Sequence, residues 1–161
     1  LYGGGDANIG RLIPGTIKAA LNGKPVEIRS DGTYIRDYLY VADGAEGYLR
    51  LAERMDDPKV VGEAFNFSNE SQLTVKELAA MILRLMDRQD LKPKILATAR
   101  HEILNQYLSA EKARKLLDWK PRYGLEEGLK QTIDWYRDQP VESPAPSAKP
   151  SKAPSSRPKA R

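Results

Sequence analysis

The stretch Arg36-Asp37-Tyr38-Leu39-Tyr40-Val41-Ala42-Asp43 decides how this chain is read. From Tyr34 to Val41 it is rich in aromatic and branched residues, which predicts a strand. Asp43 with Glu46 three residues later predicts the start of a helix by a capping-box pair. Ala45, Tyr48, Leu49 and Ala52 then recur at helical spacing and are expected to form its buried stripe. Asp56-Asp57-Pro58 ends it. A strand running straight into an amphipathic helix is the unit of a mixed α/β chain.

The same reading extends outward in both directions. Upstream, Gly3-Gly4-Gly5-Asp6 is a loop, and Ile9, Leu12, Ile13, Ile17 and Leu21 mark a helix that starts near Ile13 and stops at Gly23. Pro14 then falls in its first turn, where proline is tolerated, and Asn8 is placed to cap it. Val26-Glu27-Ile28-Arg29 alternates as a short strand, followed by the turn residues Ser30-Asp31-Gly32-Thr33. This strand is expected to pair with 34–41, unless the latter runs out as an irregular extended segment. Downstream, Ala64-Phe65-Asn66-Phe67 reads as a strand. Thr74 with Glu77 is a capping box for a helix bearing Leu78, Ala79, Ile82 and Leu85. Lys94 to Leu96 is a further strand, Ser109 caps a short helix with Ala113, Leu116 and Leu117, and a last helix from about Leu125 carries Leu129, Ile133 and Tyr136.

Bulk composition narrows the function classes. At 161 residues the chain can hold one domain with a core. It has no cysteine and a single histidine, so thiolate chemistry and a histidine pair are excluded, and this composition suits a cytoplasmic setting. No apolar run is long enough to span a membrane. The net charge of +4 would suggest nucleic acid, but it lies entirely beyond Gln139, in Lys149, Lys152, Arg157, Lys159 and Arg161 against Glu142. Residues 1–139 are balanced, which argues against a nucleic-acid partner. The segment 140–161 is almost all Pro, Ser, Ala, Lys and Arg and is expected to be disordered. The chain also opens inside a glycine-rich turn without a methionine, which reads as a fragment.

No Gly-x-Gly-x-x-Gly stands between a strand and a helix, and there is no Walker loop or Gly-x-Ser-x-Gly elbow. Five stretches in order nevertheless resemble the second half of the extended short-chain dehydrogenase/reductase superfamily of NAD-dependent epimerases and dehydratases. They are Tyr2 to Asn8 with Arg11-Leu12-Ile13-Pro14; Val26 to Gly32; Arg36 to Asp43; Phe65-Asn66-Phe67-Ser68; and Ser109 to Ala113 with Leu117 to Pro121, Leu125 to Leu129 and Thr132 to Tyr136. Within that superfamily Gly3 to Asp6, Arg29 to Gly32 and Asn105 to Ser109 are most similar to CDP-glucose 4,6-dehydratases.

The resemblance implies an α/β, Rossmann-type fold of which residues 1–139 form the nucleotide-sugar-binding C-terminal part, with 43–67 packing back on a preceding dinucleotide-binding half. It implies NAD as the cofactor of the parent enzyme, a nucleotide-diphosphate sugar as its ligand, and a homodimer at full length. Arg36 occupies the position that contacts the diphosphate in such relatives, and a guanidinium fork suits phosphate oxygens. Arg11 and Asn8 lie near the positive end of the first helix, where anions are favoured. Gln106, with Tyr107, is placed on the far side of the pocket. The triple glycine is read as allowing a close backbone path beside the ligand. His101 has no orienting partner and a non-catalytic family position; Asp37 reads as a local hydrogen-bonding residue, and Trp119 with Pro121 as an anchor between the last two helices. The family's Tyr-x-x-x-Lys pair is absent, since Tyr34, Tyr38, Tyr40 and Tyr107 are followed four residues later by Tyr38, Ala42, Gly44 and Glu111. No catalytic or cofactor-binding residue is therefore assigned, and the chain alone is expected to bind no NAD and to be inactive. A nucleotide-sugar epimerase fragment and a non-catalytic remnant acting through its basic tail are the alternatives.

Overall fold

The computed structural model describes residues 1–98 and 102–139; His101 and the segment 140–161 lie outside them. Ten elements follow one another as α1 (Leu12–Leu21), β1 (Glu27–Ile28), β2 (Ile35–Arg36), α2 (Val41–Glu53), β3 (Leu73–Thr74), α3 (Val75–Leu85), β4 (Lys94–Ile95), β5 (Asn105–Gln106), α4 (Glu111–Leu117) and α5 (Leu125–Arg137). The class is mixed α/β, as the pattern implies.

Two small sheets organise the loops. β1 pairs with β4 in parallel, Glu27 opposite Lys94 and Ile28 opposite Ile95. In the other sheet β2 is central, antiparallel to β3 and parallel to β5. The expected pairing of 26–29 with 34–41 does not occur. Each strand meets a segment distant in sequence, and beyond Arg36 the chain is extended without a ladder until Tyr40 bridges Tyr2. The strand expected at 64–67 is likewise absent as a ladder. Phe67 uses its ring instead, edge-on to Trp119 at 4.9 Å and against Gly47, where an added Cβ would lie 2.8 Å from it.

The core lies where α1, α3 and α5 meet. Ile17, Ala20, Leu78, Ala79, Ile82, Leu129 and Ile133 are buried there, with Val26 and Ile28 beneath them. α3 starts as read: Thr74 Oγ1 accepts from Glu77 N–H, and Glu77 accepts from Thr74 N–H at 2.8 Å. A smaller cluster gathers Leu39, Val60, Ala113 and Leu117 around Trp119, whose Nε1 donates to Asp43 O at 3.2 Å.

Three local expectations are corrected. Asp43 is not the cap of α2; Tyr40 is, with no side-chain bond. Fully buried, Asp43 accepts from the backbone N–H groups of Arg122 at 2.8 Å and Tyr123 at 3.3 Å, so it caps a distant loop. Asn8 is not the cap of α1, since Arg11 occupies that position; Asn8 Oδ1 accepts from Gly10 N–H at 3.0 Å and closes a turn one step earlier. The apolar stripe of α2 is exposed, with Tyr48 at 71% and Leu49 at 59%, whereas Asp43, Gly44 and Gly47 face inward.

Candidate functional site

A cavity of about 590 Å³ opens between α1, β1 and β4, within the size range of small-molecule sites. Its floor is apolar because the β1 segment alternates. Val26 and Ile28 are buried at 2% each, and Leu12, Ala19 and Val75 complete the wall. The opposite phase of the same alternation sends Glu27 and Arg29 to the rim, where Arg11, Lys24, Lys94 and Glu102 join them. Four of these rim groups are cationic and two anionic, so the mouth favours an anion.

The cations differ in what already holds them. Arg11 pairs with Asp6 at 3.2 Å and is largely exposed. Lys94 faces Glu27 at 3.8 Å, a consequence of their register in the parallel ladder. Arg29 donates from Nη2 to Gly10 O at 3.1 Å, and its own carbonyl accepts from Thr98 N–H at 2.7 Å. Both ends of that residue are thus fixed.

Arg36 stands beside the cavity rather than in its wall. Its Nη1 donates to Ile35 O and Ile103 O, each at 2.8 Å, and its Nη2 pairs with Glu102 at 3.2 Å. The Tyr34 ring lies 5.5 Å from the guanidinium carbon. Glu102 is the link, because it both lines the cavity and holds Arg36. Gln106 is exposed on β5, directly opposite Arg36 in the ladder. Asn8 is engaged in its turn and is not part of the wall. Of the residues singled out from sequence, Arg11 lines the cavity, Arg36 and Gln106 flank each other next to it, and Asn8 stands apart. Arg29, Lys24 and Lys94 were not singled out; the Val26/Ile28 alternation was the signal that could have found Arg29.

Other groups near β2 serve the frame. Asp37 accepts from Ser68 Oγ and, at 3.4 Å, from Leu108 N–H, partners 31 and 71 residues away, so it ties distant segments together and is not the local hydrogen-bonding residue expected from the sequence. Burial pushes the Tyr38 phenol up to about 12, with the nearby Arg36 charge pulling the other way, so it is neutral at ordinary pH. The triple glycine has neighbours other than a ligand: side chains at Gly3 and Gly4 would meet Val41 and the Trp135 indole. Gly3 and Gly4 are therefore packing positions against Val41 and Trp135. Among the described residues no group of acidic or histidine side chains could hold a metal. No described helix is long and apolar enough to cross a membrane.

Residues 1–67 match the model of the "NAD dependent epimerase/dehydratase family". A dTDP-glucose 4,6-dehydratase of Xanthomonas campestris pv. campestris is 33% identical over 135 residues, covering 78% of this chain and 37% of that protein. The dTDP-glucose 4,6-dehydratase of Bacillus anthracis, solved in complex with NAD, superposes with a TM-score of 0.70 at 27% identity, over 83% of this chain and 41% of that one. The UDP-glucose 4-epimerase of Thermotoga maritima, solved with UDP-glucose, gives a TM-score of 0.68 at 28% identity, over 79% and 39%. The chain thus spans about two fifths of the length of each of these proteins.

Proposed function

We propose, from the match of residues 1–67 to the NAD dependent epimerase/dehydratase family, that this chain is the nucleotide-sugar-binding portion of an NAD-dependent sugar-nucleotide 4,6-dehydratase. The cavity carries the reading: an apolar slot with a cationic mouth suits a ligand that joins a flat base to a diphosphate. The diphosphate lies at the mouth between Arg11 and Arg36, whose charged hydrogen bonds are the strong kind. To reach Nη2 of Arg36 a phosphate oxygen replaces Glu102, its present partner. CDP-glucose is the ligand favoured by Arg29 to Gly32 and Asn105 to Ser109. The exposed apolar face of α2 supports the view that 43–67 packs on a dinucleotide-binding half, which supplies NAD binding and the catalytic pair. The parent would act in the cytoplasm as a homodimer. Without Tyr-x-x-x-Lys, this chain alone is inactive; NAD in the parent would take and return hydride.

Calorimetric titration of the chain with CDP-glucose, with GDP-mannose and UDP-glucose as controls, tests the reading. Saturable binding is expected, weakened by about 1.5–3 kcal/mol in Arg36→Ala, as for a charged hydrogen bond. A chain shown to be folded by circular dichroism that binds none of the three overturns it. The likeness to a UDP-glucose 4-epimerase favours a second reading, an epimerase. Loss of water from the sugar by the full-length enzyme separates the two.

A further inference from the structure

A second cavity, of about 400 Å³, opens where the last turn of α1 and the end of α5 meet the 5–7 loop, and it shares no residue with the first. Two large apolar side chains in its wall are incompletely covered, Leu21 at 44% and Trp135 at 40% exposure. Hydrogen bonds fix this wall. Tyr136 Oη donates to Asp6 O at 2.5 Å and ties the loop to α5. Asn22 Nδ2 donates to Lys18 O at 2.7 Å, and Gln139 Nε2 to Trp135 O at 3.4 Å. The indole is also edge-on to the Tyr136 ring at 5.0 Å and packed against Gly4. A held, half-exposed indole beside a leucine is the kind of surface on which proline-rich segments dock, because such a segment is already extended and loses little freedom on binding.

We propose that the occupant of this cavity is the chain's own segment Pro140-Val141-Glu142-Ser143-Pro144-Ala145-Pro146. Gln139 stands in the cavity wall, and the segment follows it directly. It brings three prolines, Val141 and Ala145 to an apolar surface, and its single charge is Glu142. The described wall carries Lys18 and Arg137 against Asp6. Asp6 already pairs with Arg11 at 3.2 Å, and the Arg137–Asp134 pair at 3.4 Å is an exposed one of small strength. The wall therefore favours an acid over the basic residues that begin at Lys149. At about 3.1 Å per residue in an extended proline conformation, the seven residues reach roughly 22 Å, enough to cross the cavity. The covalent link holds them there at a millimolar effective concentration, so a weak contact is enough. Pro140 to Pro146 pack on Trp135 and Leu21, Glu142 faces Lys18 and Arg137, and residues from Lys149 onward stay outside the cavity. The inference does not depend on the nucleotide-sugar reading.

The test is acrylamide quenching of tryptophan fluorescence in the full chain. Trp119 is fully buried, so the quenchable emission comes from Trp135. A full-length variant carrying Val141→Ser, Pro144→Ser and Pro146→Ser keeps the length and charge of the segment and loses its apolar contacts. Its quenching constant should rise by about twofold, since a contact of millimolar Kd at millimolar effective concentration is made about half the time. Glu142→Lys should raise quenching as well, whereas Lys149→Ser with Lys152→Ser should leave it unchanged. A peptide of residues 140–146, added at millimolar concentration to the serine variant, should restore the protection. Every substituted position lies outside α1 to α5, so far-UV circular dichroism of each variant is expected to match that of the unmodified chain. Equal quenching of the unmodified chain and the serine variant overturns the proposal. So does protection that disappears on dilution, which would make a second copy of the chain the occupant. A rise confined to the Lys149/Lys152 variant also overturns it, because the basic residues would then be what covers Trp135.

Discussion

α3 and α2 have apolar stripes at the same helical spacing, yet they meet opposite fates. In α3, Leu78, Ala79 and Ile82 are fully buried against α1 and α5, and the capping box fixes where the helix begins. In α2, Tyr48 and Leu49 are mostly exposed, and the residues facing inward are Asp43, Gly44 and Gly47. The contrast teaches that periodicity identifies which residues share a face but is silent on what covers it. α2 is held to the rest of the chain by other means: close approach of Phe67 to Gly47, the Trp119 indole on Asp43 O, and the Asp43 carboxylate on the 122–123 backbone.

The largest difference between the two helices should come from Ile82→Ala. It removes a side chain with no exposed surface and leaves a cavity among α1, α3 and α5. A loss of about 2–5 kcal/mol is expected, read by urea denaturation; a loss under about 1 kcal/mol would mean that the core is less closely packed than the burial indicates. Next comes Asp43→Ala, which tests whether α2 hangs on its polar side. Removing the carboxylate strands two backbone N–H groups in the 122–123 turn, and should cost about 1–3 kcal/mol. Faster hydrogen exchange at Arg122 and Tyr123 should accompany it. The smallest effect should be that of Leu49→Ser, within about 0.5 kcal/mol. A clear destabilisation there would show that the face is covered in solution, and sedimentation would then reveal whether a second copy of the chain does so.

Legibility from sequence followed the range of each interaction. The helix at 75–85 was readable because Thr74, Glu77 and the Leu78–Ile82 spacing are all local, and all point the same way. The strands were read less well. β1 finds its partner in β4 and β2 in β3 and β5, and two-residue ladders between distant segments leave almost no periodic signal. Asp43 was misread because a carboxylate near a helix start has two physical uses. Capping its own helix is the local use, and accepting from a loop some eighty residues away is one that no spacing reveals. The site divides the same way. Arg36 was named through resemblance, and its place beside Glu102 came only from the fold. Arg29 was overlooked as a site residue although its phase opposite Val26 and Ile28 is a property of four consecutive residues.

Composition and local pattern set the α/β class, the helix at 75–85, the balanced charge of residues 1–139 and the lack of the Tyr-x-x-x-Lys pair, since each is read from a count of residues or from residues within a turn or two of one another. Tertiary structure alone decided that the β1–β4 pairing and α1 enclose a cavity with four cations at its mouth, that Asn8 stands outside it, and that α2 shows its apolar face. Those outcomes turn on which distant segments come together, and that is settled by the shared burial of the α1, α3 and α5 stripes rather than by any stretch of chain.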